Sequence, residues 1–219
     1  KEYVKMTYLE IVNKVLVRLR EEEVTTLDEN DYSKLVANLV NVTKQEVENS
    51  WNWSALRNTV TVSAVEGLFN WVLVGCGTRF RVLDVYNATQ KGWMYSRPTE
   101  WMDENFAFVD DTATGAPAYY AFNGVDSNGD AQVDVYPIPD KDYTLRFNIV
   151  QPQVDLVLAA DVITIPHEPV IEGTIARAIS ERGEDGGMQD QEFRYKSMLS
   201  DFIAIEAGRR PLETVWSAV

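Results

Sequence analysis

Ala118-Tyr119-Tyr120-Ala121-Phe122-Asn123, then Asp126-Ser127-Asn128-Gly129-Asp130, then Gln132-Val133-Asp134-Val135-Tyr136-Pro137-Ile138-Pro139: two aromatic and β-branched runs flank an Asn-Gly dipeptide. Asn-Gly supplies the positive φ angles of a tight hairpin turn, so the pattern predicts a pair of antiparallel strands. The two prolines then close the second strand, because proline cannot donate to a central ladder. Tyr143 to Val150 alternates and adds a third strand. Upstream, Thr59 to Ala64, Trp71 to Val74, Phe80 to Tyr86 and Gly92 to Tyr95 read as short strands separated by glycine-containing turns. Arg97-Pro98-Thr99-Glu100 starts a short helix to about Asn105. Asp110 to Ala116 is a polar loop, and Val162 to Ile165 supplies one more short strand.

Outside this region the period changes to that of a helix. Thr7 and Glu10 form a T-x-x-E capping box, followed by Leu9, Val12, Leu16 and Leu19 on one face of a helix to about Glu22. Glu21, Glu22 and Glu23 sit at the wrong end of its dipole, which fits a solvated terminus. Thr26 and Glu29 repeat the spacing, with Asp28 an equally good cap. Tyr32, Leu35, Leu39 and Val42 then define the face of a second helix, broadened by Val36, Val40 and Val47. It runs to about Ser50, where Trp51 and Trp53 plug the core. Towards the other end, a helix from Pro169 carries Val170, Ile171, Ile175, Ala178 and Ile179. A turn at Glu184-Asp185-Gly186-Gly187 leads to a last helix from about Met188, bearing Phe193, Leu199, Phe202 and Ile203 and stopping at Gly208. The expected fold is α+β: a helical bundle formed by N- and C-terminal helical hairpins, with an inserted antiparallel β subdomain. The segments are 1–57, 58–166, 167–208 and a tail, 209–219.

At 219 residues the chain buries roughly 70% of its unfolded surface and needs no disulfide or metal to fold. Cys76 is the only cysteine, so no intrachain disulfide forms, and a reducing compartment fits. No run reads as a membrane span or a signal segment. The net charge is −14, of which −8 falls in residues 59–166, −2 in 1–58 and −4 in 167–219. Nucleic-acid grips display basic surface, because affinity comes from neutralising phosphates. This chain repels DNA on average, which suits either solubility or a surface past which DNA slides.

Sites for chemistry are weak. Cys76, in Gly75-Cys76-Gly77, and His167, the only histidine, lack the third group that would orient an imidazole. Asp126, Asn128 and Asp130 mimic the opening of a calcium loop. An EF-hand needs glycine at its sixth position and glutamate at its twelfth, where Ala131 and Pro137 stand. Asp103-Glu104 and Asp110-Asp111 are acid pairs of the kind any acidic chain contains. No phosphate loop, dinucleotide fingerprint or zinc spacing occurs. No catalytic residue, metal or cofactor is therefore expected. The aromatics Trp71, Trp93, Tyr95, Trp101, Tyr119 and Tyr120 suit core packing and subunit contacts, with a sugar-stacking platform as the rival. In the tail, Arg209 and Arg210 precede a proline, and Leu212, Val215, Trp216 and Val219 have no obvious core to enter. They read as a mobile segment that docks on a partner.

Thr7-Tyr8-Leu9-Glu10-Ile11-Val12-Asn13 resembles the "t-x-x-e-i-i-n-x-a-l" start of head–tail adaptor proteins from tailed bacteriophages. So does the acid-led second helix ending in Trp51-Asn52-Trp53-Ser54. Gly115-Ala116-Pro117-Ala118-Tyr119-Tyr120, with Val133-Asp134-Val135-Tyr136-Pro137-Ile138-Pro139-Asp140, is similar to that family's "P-x-x-Y … l-x-l-x-P-x-P-d" strand pair. Tyr143-Thr144-Leu145-Arg146-Phe147, Ile163-Thr164-Ile165-Pro166 and the two closing helices continue it, while Val60 to Arg97 is a long departure. The resemblance implies a non-enzymatic virion protein, assembled in the host cytoplasm. It implies a dodecameric homo-oligomer ring under the portal protein, linked to tail or nozzle proteins, with double-stranded DNA passing unbound. The tail would then dock on the portal, and Trp93, Tyr95, Trp101, Tyr119 and Tyr120 would contact neighbouring subunits or the tail. The alternatives are a carbohydrate- or receptor-binding tail module built on the aromatics, and a hydrolase using Cys76 or the acids.

Overall fold

The computed structural model describes residues 5–183 and 185–209, with 185 and 186 as backbone only. Their elements, in chain order, are α1 (Tyr8–Arg18), α2 (Asp31–Ser50), a 3-10 turn (Ser54–Leu56), β1 (Arg57–Ala64), β2 (Asn70–Val72), β3 (Arg81–Asn87), β4 (Gly92–Ser96), α3 (Thr99–Phe106), β5 (Tyr119–Val125), β6 (Ala131–Tyr136), β7 (Tyr143–Val150), α4 (His167–Glu181) and α5 (Asp185–Gly208). The chain divides into two compact units: Lys1–Leu56 with Pro152–Val219, and Arg57–Gln151.

The first unit packs α1, α2, α4 and α5. The Thr7 hydroxyl accepts from the Glu10 N–H at 3.3 Å while the Glu10 carboxylate accepts from the Thr7 N–H at 2.8 Å, the expected capping box. Further N–H groups of that first turn donate outward, Tyr8 to the Asp161 carbonyl at 2.7 Å and Leu9 to that of Ala159 at 3.2 Å. Helix α1 ends at Arg18, so Glu21, Glu22 and Glu23 lie beyond it, and Glu21 pairs with Arg182. The cap of α2 is Asn30, exchanging hydrogen bonds with Ser33, not Thr26 or Asp28. Glu29 instead accepts from the Thr25 N–H and hydroxyl, closing the loop before the helix. Between α2 and its neighbours Gly173 is a close approach, since a Cβ there would sit 2.6 Å from Thr43 Cγ2 and 2.9 Å from Tyr195 Cε2.

The buried face of α2 is rotated from the one its leucines suggest. Ser33, Val36, Ala37, Val40, Thr43, Lys44, Val47 and Glu48 are buried, whereas Val42 is 52% exposed. The cause is the returning chain after β7, which lies along α2 without a ladder of its own. Side chains of the helix satisfy its backbone instead. Asn41 donates to the Leu156 carbonyl at 3.0 Å and accepts from the Leu156 N–H at 2.9 Å. Lys44 Nζ donates to the Gln153 carbonyl at 2.8 Å, and Glu48 Oε1 accepts from the Gln153 N–H at 3.1 Å. Lys44 and Glu48, 3.1 Å apart, are both fully buried. The strand expected at Val162 to Ile165 is reduced to a single bridge, Thr7 to Val162.

The second unit corrects the expected fold class. Its strands form one seven-stranded sheet in the order β1-β7-β3-β4-β5-β6-β2, curled into a nearly closed barrel. A large sheet of this kind is not a small β subdomain inserted in a helical bundle. Nor is it wholly antiparallel, because β4 and β5 pair in parallel through Tyr95 with Tyr119 and Ser96 with Tyr120. The physical reason is a shared interior. Strand β7 turns Tyr143, Leu145, Phe147 and Ile149 inward, and these join Val62, Ala64, Leu73, Val85, Met94, Tyr120, Val133 and Val135 in one core. A single flat hairpin cannot bury a face of that size, whereas a twisted sheet that wraps it can. Shifts of register at Val82/Asp84 and Phe122/Gly124 help the curl, because a bulge bends its strand and increases the local twist.

Candidate functional site

The residues that sequence reading flagged for chemistry do not converge. Cys76 is buried in the sheet unit, where desolvation and then the Asp130 charge push its thiol up, the opposite of an activated nucleophile. His167 belongs to the helical unit, at the start of α4, and burial lowers its pKa. The calcium-like loop is a turn whose acids are already used. Asp126 Oδ1 accepts from the Asn128 and Asp130 N–H groups at 2.8 and 2.9 Å, and Asp130 accepts from the Gly77 N–H at 3.2 Å. Asp103 and Glu104 are exposed on α3, and Asp110 and Asp111 on the loop after it. Among the described residues no group of three or more His, Cys, Asp or Glu could hold a metal, and no helix is long and apolar enough to cross a membrane.

The aromatic cluster is a built surface. On β4 the strand alternation buries Met94 and turns Trp93 and Tyr95 out, 62% and 61% exposed. Trp93 packs edge-on against Tyr86, with ring centroids 5.7 Å apart. Tyr119 is half-buried and meets Trp101 of α3 at 5.0 Å, and Trp101 meets Tyr136 at 5.3 Å. Phe106 continues the row, 5.5 Å from Tyr136 and 4.7 Å from Phe69. Tyr120 points the other way, into the core, 5.9 Å from Phe147. Trp71 is half-buried and packs against that same core.

Arg97 is the member that sequence reading missed. Its guanidinium carbon stands 4.8 Å from the Tyr119 ring centre and 5.4 Å from that of Trp101. A planar cation there is attracted by both rings and covers face area that a ligand would otherwise use.

Two apolar features stand out among the described residues of the helical unit. One is a cavity of about 340 Å³ lined by Trp53, Ile163, Ile165, Phe202 and Ile205, with Lys5, His167, Glu206 and Arg209 among its polar lining. The other is the loop after Gln153, which exposes Val154, Val157 and Leu158 at 83%, 74% and 66%. In the tail, Arg209 is described, its guanidinium 3.1 Å from Glu206. Arg210, Leu212, Val215, Trp216 and Val219 lie outside the described residues.

Residues 6–215 match the SU10 adaptor protein family, so the chain belongs to that family of bacteriophage adaptor proteins. Among curated proteins no sequence matches it closely enough to be called a relative.

Proposed function

We propose that this phage adaptor is a ring-forming, non-enzymatic part of the head–tail junction, joining the portal to the tail and lining the channel for double-stranded DNA. The observation that carries the reading is the adaptor-family match, which takes in both compact units and not one alone. Closed cyclic symmetry suits a chain whose function is to bridge two coaxial parts, because one patch of each copy meets a different patch of the next. The aromatic surface of the sheet unit, Trp93 and Tyr95 above all, is a candidate for contacts with a neighbouring subunit or a tail protein. Native mass spectrometry with the cognate portal tests the ring. The expected product is a closed assembly of one adaptor copy per portal subunit, twelve in the family this chain resembles. A persistent complex of one adaptor with a single portal subunit counts against it.

The charge supports the channel. With −14 overall, few phosphates would be neutralised, so DNA passes without sticking. The purified protein is expected to show no measurable binding to duplex DNA by fluorescence anisotropy near physiological salt. Micromolar or tighter affinity would overturn the channel role. A carbohydrate-binding module remains the second reading, favoured by the exposed Trp93 and Tyr95. It is the weaker one, because Arg97 stands over the rings of Tyr119 and Trp101 and so removes two members of the aromatic cluster from the platform.

A further inference from the structure

We propose that copies of this chain join head to tail through the helical unit: the apolar loop at Val154, Val157 and Leu158 of one copy enters the cavity lined by Trp53, Phe202 and Ile205 of the next. The inference rests on the ring reading above and names the surfaces that make it.

The loop is held rigid while its apolar side chains face water. Asn41 grips both backbone groups of Leu156, and Gln45 donates to Asp155 at 2.8 Å. Asp161 Oδ2 accepts from the Val157 and Leu158 N–H groups, both at 2.7 Å. Gln153 fastens the base of the loop to Val162 and Thr164 at 2.8 and 3.2 Å. Leu156 alone turns inward, 4% exposed. Ordering a loop costs conformational entropy, and here that cost keeps three aliphatic side chains out of the core. Such pre-organisation of an apolar surface suits binding, because the ordering is complete before the partner arrives.

The cavity offers the matching chemistry. Trp53 and Ile165 are almost fully buried in it, at 1% each, while Ile205 is 57% exposed. A volume of about 340 Å³ has room for two or three aliphatic side chains. Charge is complementary as well. Residues 151–164 contain Asp155 and Asp161 and no lysine or arginine, whereas Lys5 and Arg209 line the cavity. Glu206 lines the cavity too, accepting from the Ser54 N–H at 2.7 Å and pairing with Arg209, so the net positive charge of the lining is that of Lys5.

The tip of the loop and the cavity lie at different places along α2. Leu156 is gripped at Asn41, whereas Trp53 of the cavity folds back to donate its indole N–H to the Val47 carbonyl at 2.6 Å, so about 9 Å of helix axis lies between these two anchors, and the base of the loop adjoins the cavity rim at Thr164. A projection and a hole on one chain can pair reciprocally in a two-fold dimer or run head to tail through successive copies, and the ring reading selects the second, heterologous contact. Such a contact closes as a ring when the rotation between copies allows it.

The test uses the full chain assembled on its portal, with Leu158→Cys and Ile205→Cys introduced together and bridged by a short bismaleimide. Both positions are exposed, and the natural Cys76 is buried and does not compete. The expected result is a ladder of covalent multimers longer than a dimer, absent from either single variant. A ring seen by electron microscopy without that ladder overturns this contact and leaves the ring reading standing. The C-terminal segment, which follows Arg209, is the rival occupant of the cavity, and its presence there would give that same ladder-free ring. Dimers from Leu158→Cys alone would mean that loop meets loop, and would also overturn it. If the wild-type chain forms no ring on the portal, the ring reading falls and takes this contact with it.

Discussion

Replacing Glu48 with alanine is expected to destabilise the helical unit by about 3–5 kcal/mol, seen as a large fall in the urea midpoint of the helical signal in circular dichroism. Lys44 and Glu48 are both fully buried, so truncating the acid leaves an ammonium in the core with the Gln153 carbonyl at 2.8 Å and no paired carboxylate. It also removes the acceptor of the Gln153 N–H, at 3.1 Å. A loss of that size is a large fraction of the roughly 5–15 kcal/mol by which a domain is stable. Replacing both members, Lys44→Met with Glu48→Leu, should recover part of the loss, because no buried charge is left. Recovery stays incomplete, since both backbone groups of Gln153 remain unpaired at about 1–3 kcal/mol each. If Glu48→Ala unfolds at the wild-type midpoint, the pair does not hold the returning chain.

The same pair marks the limit of what sequence could show. One helix start with reciprocal side chains was legible, Thr7 and Glu10 forming the capping box that their spacing predicts, whereas on α2 Asn30 and Ser33 take the place expected of Thr26 or Asp28. Strand β7 was legible too, because Tyr143, Leu145, Phe147 and Ile149 alternate without a break. On α2 the polar stripe Asn41, Lys44, Gln45 and Glu48 carries no hydrophobic signal. Its role depends on a segment more than a hundred residues later whose backbone needs those groups. Sheet order was hidden for a related reason. Alternation says that a strand has a buried side, but not that β7 lies between β1 and β3 or that β4 meets β5 in parallel.

At the aromatic surface, period two alone separates Trp93 and Tyr95 from Met94, and Tyr119 from the inward Tyr120. Arg97 was not legible, because its stack requires α3 to fold back over β5. Val154, Val157 and Leu158 carried no periodic signal at all, since the loop that exposes them has no repeat.

Removal of residues 210–219 is expected to leave both units folded and to abolish attachment to portal-bearing heads. Ending the chain at Arg209 keeps the Arg209 pair with Glu206 at 3.1 Å, so the last turn of α5 retains its partner. What is lost is Arg210, a proline that blocks helix continuation, and the apolar set Leu212, Val215, Trp216 and Val219. Tryptophan and arginine are the side chains most enriched where binding energy concentrates, and burying an indole excludes more water than any other residue here can. Docking must outweigh the ordering entropy of a short segment, which burial of Trp216 with three aliphatic neighbours can supply. Trp216→Ala alone should then weaken attachment by at least tenfold, since a hot-spot truncation costs about 2 kcal/mol or more. Co-sedimentation of adaptor with purified heads measures both variants, and circular dichroism checks that each remains folded. Should the truncated chain sediment with heads as fully as the intact one, the segment has no part in docking, and the portal contact must be sought on the described surfaces.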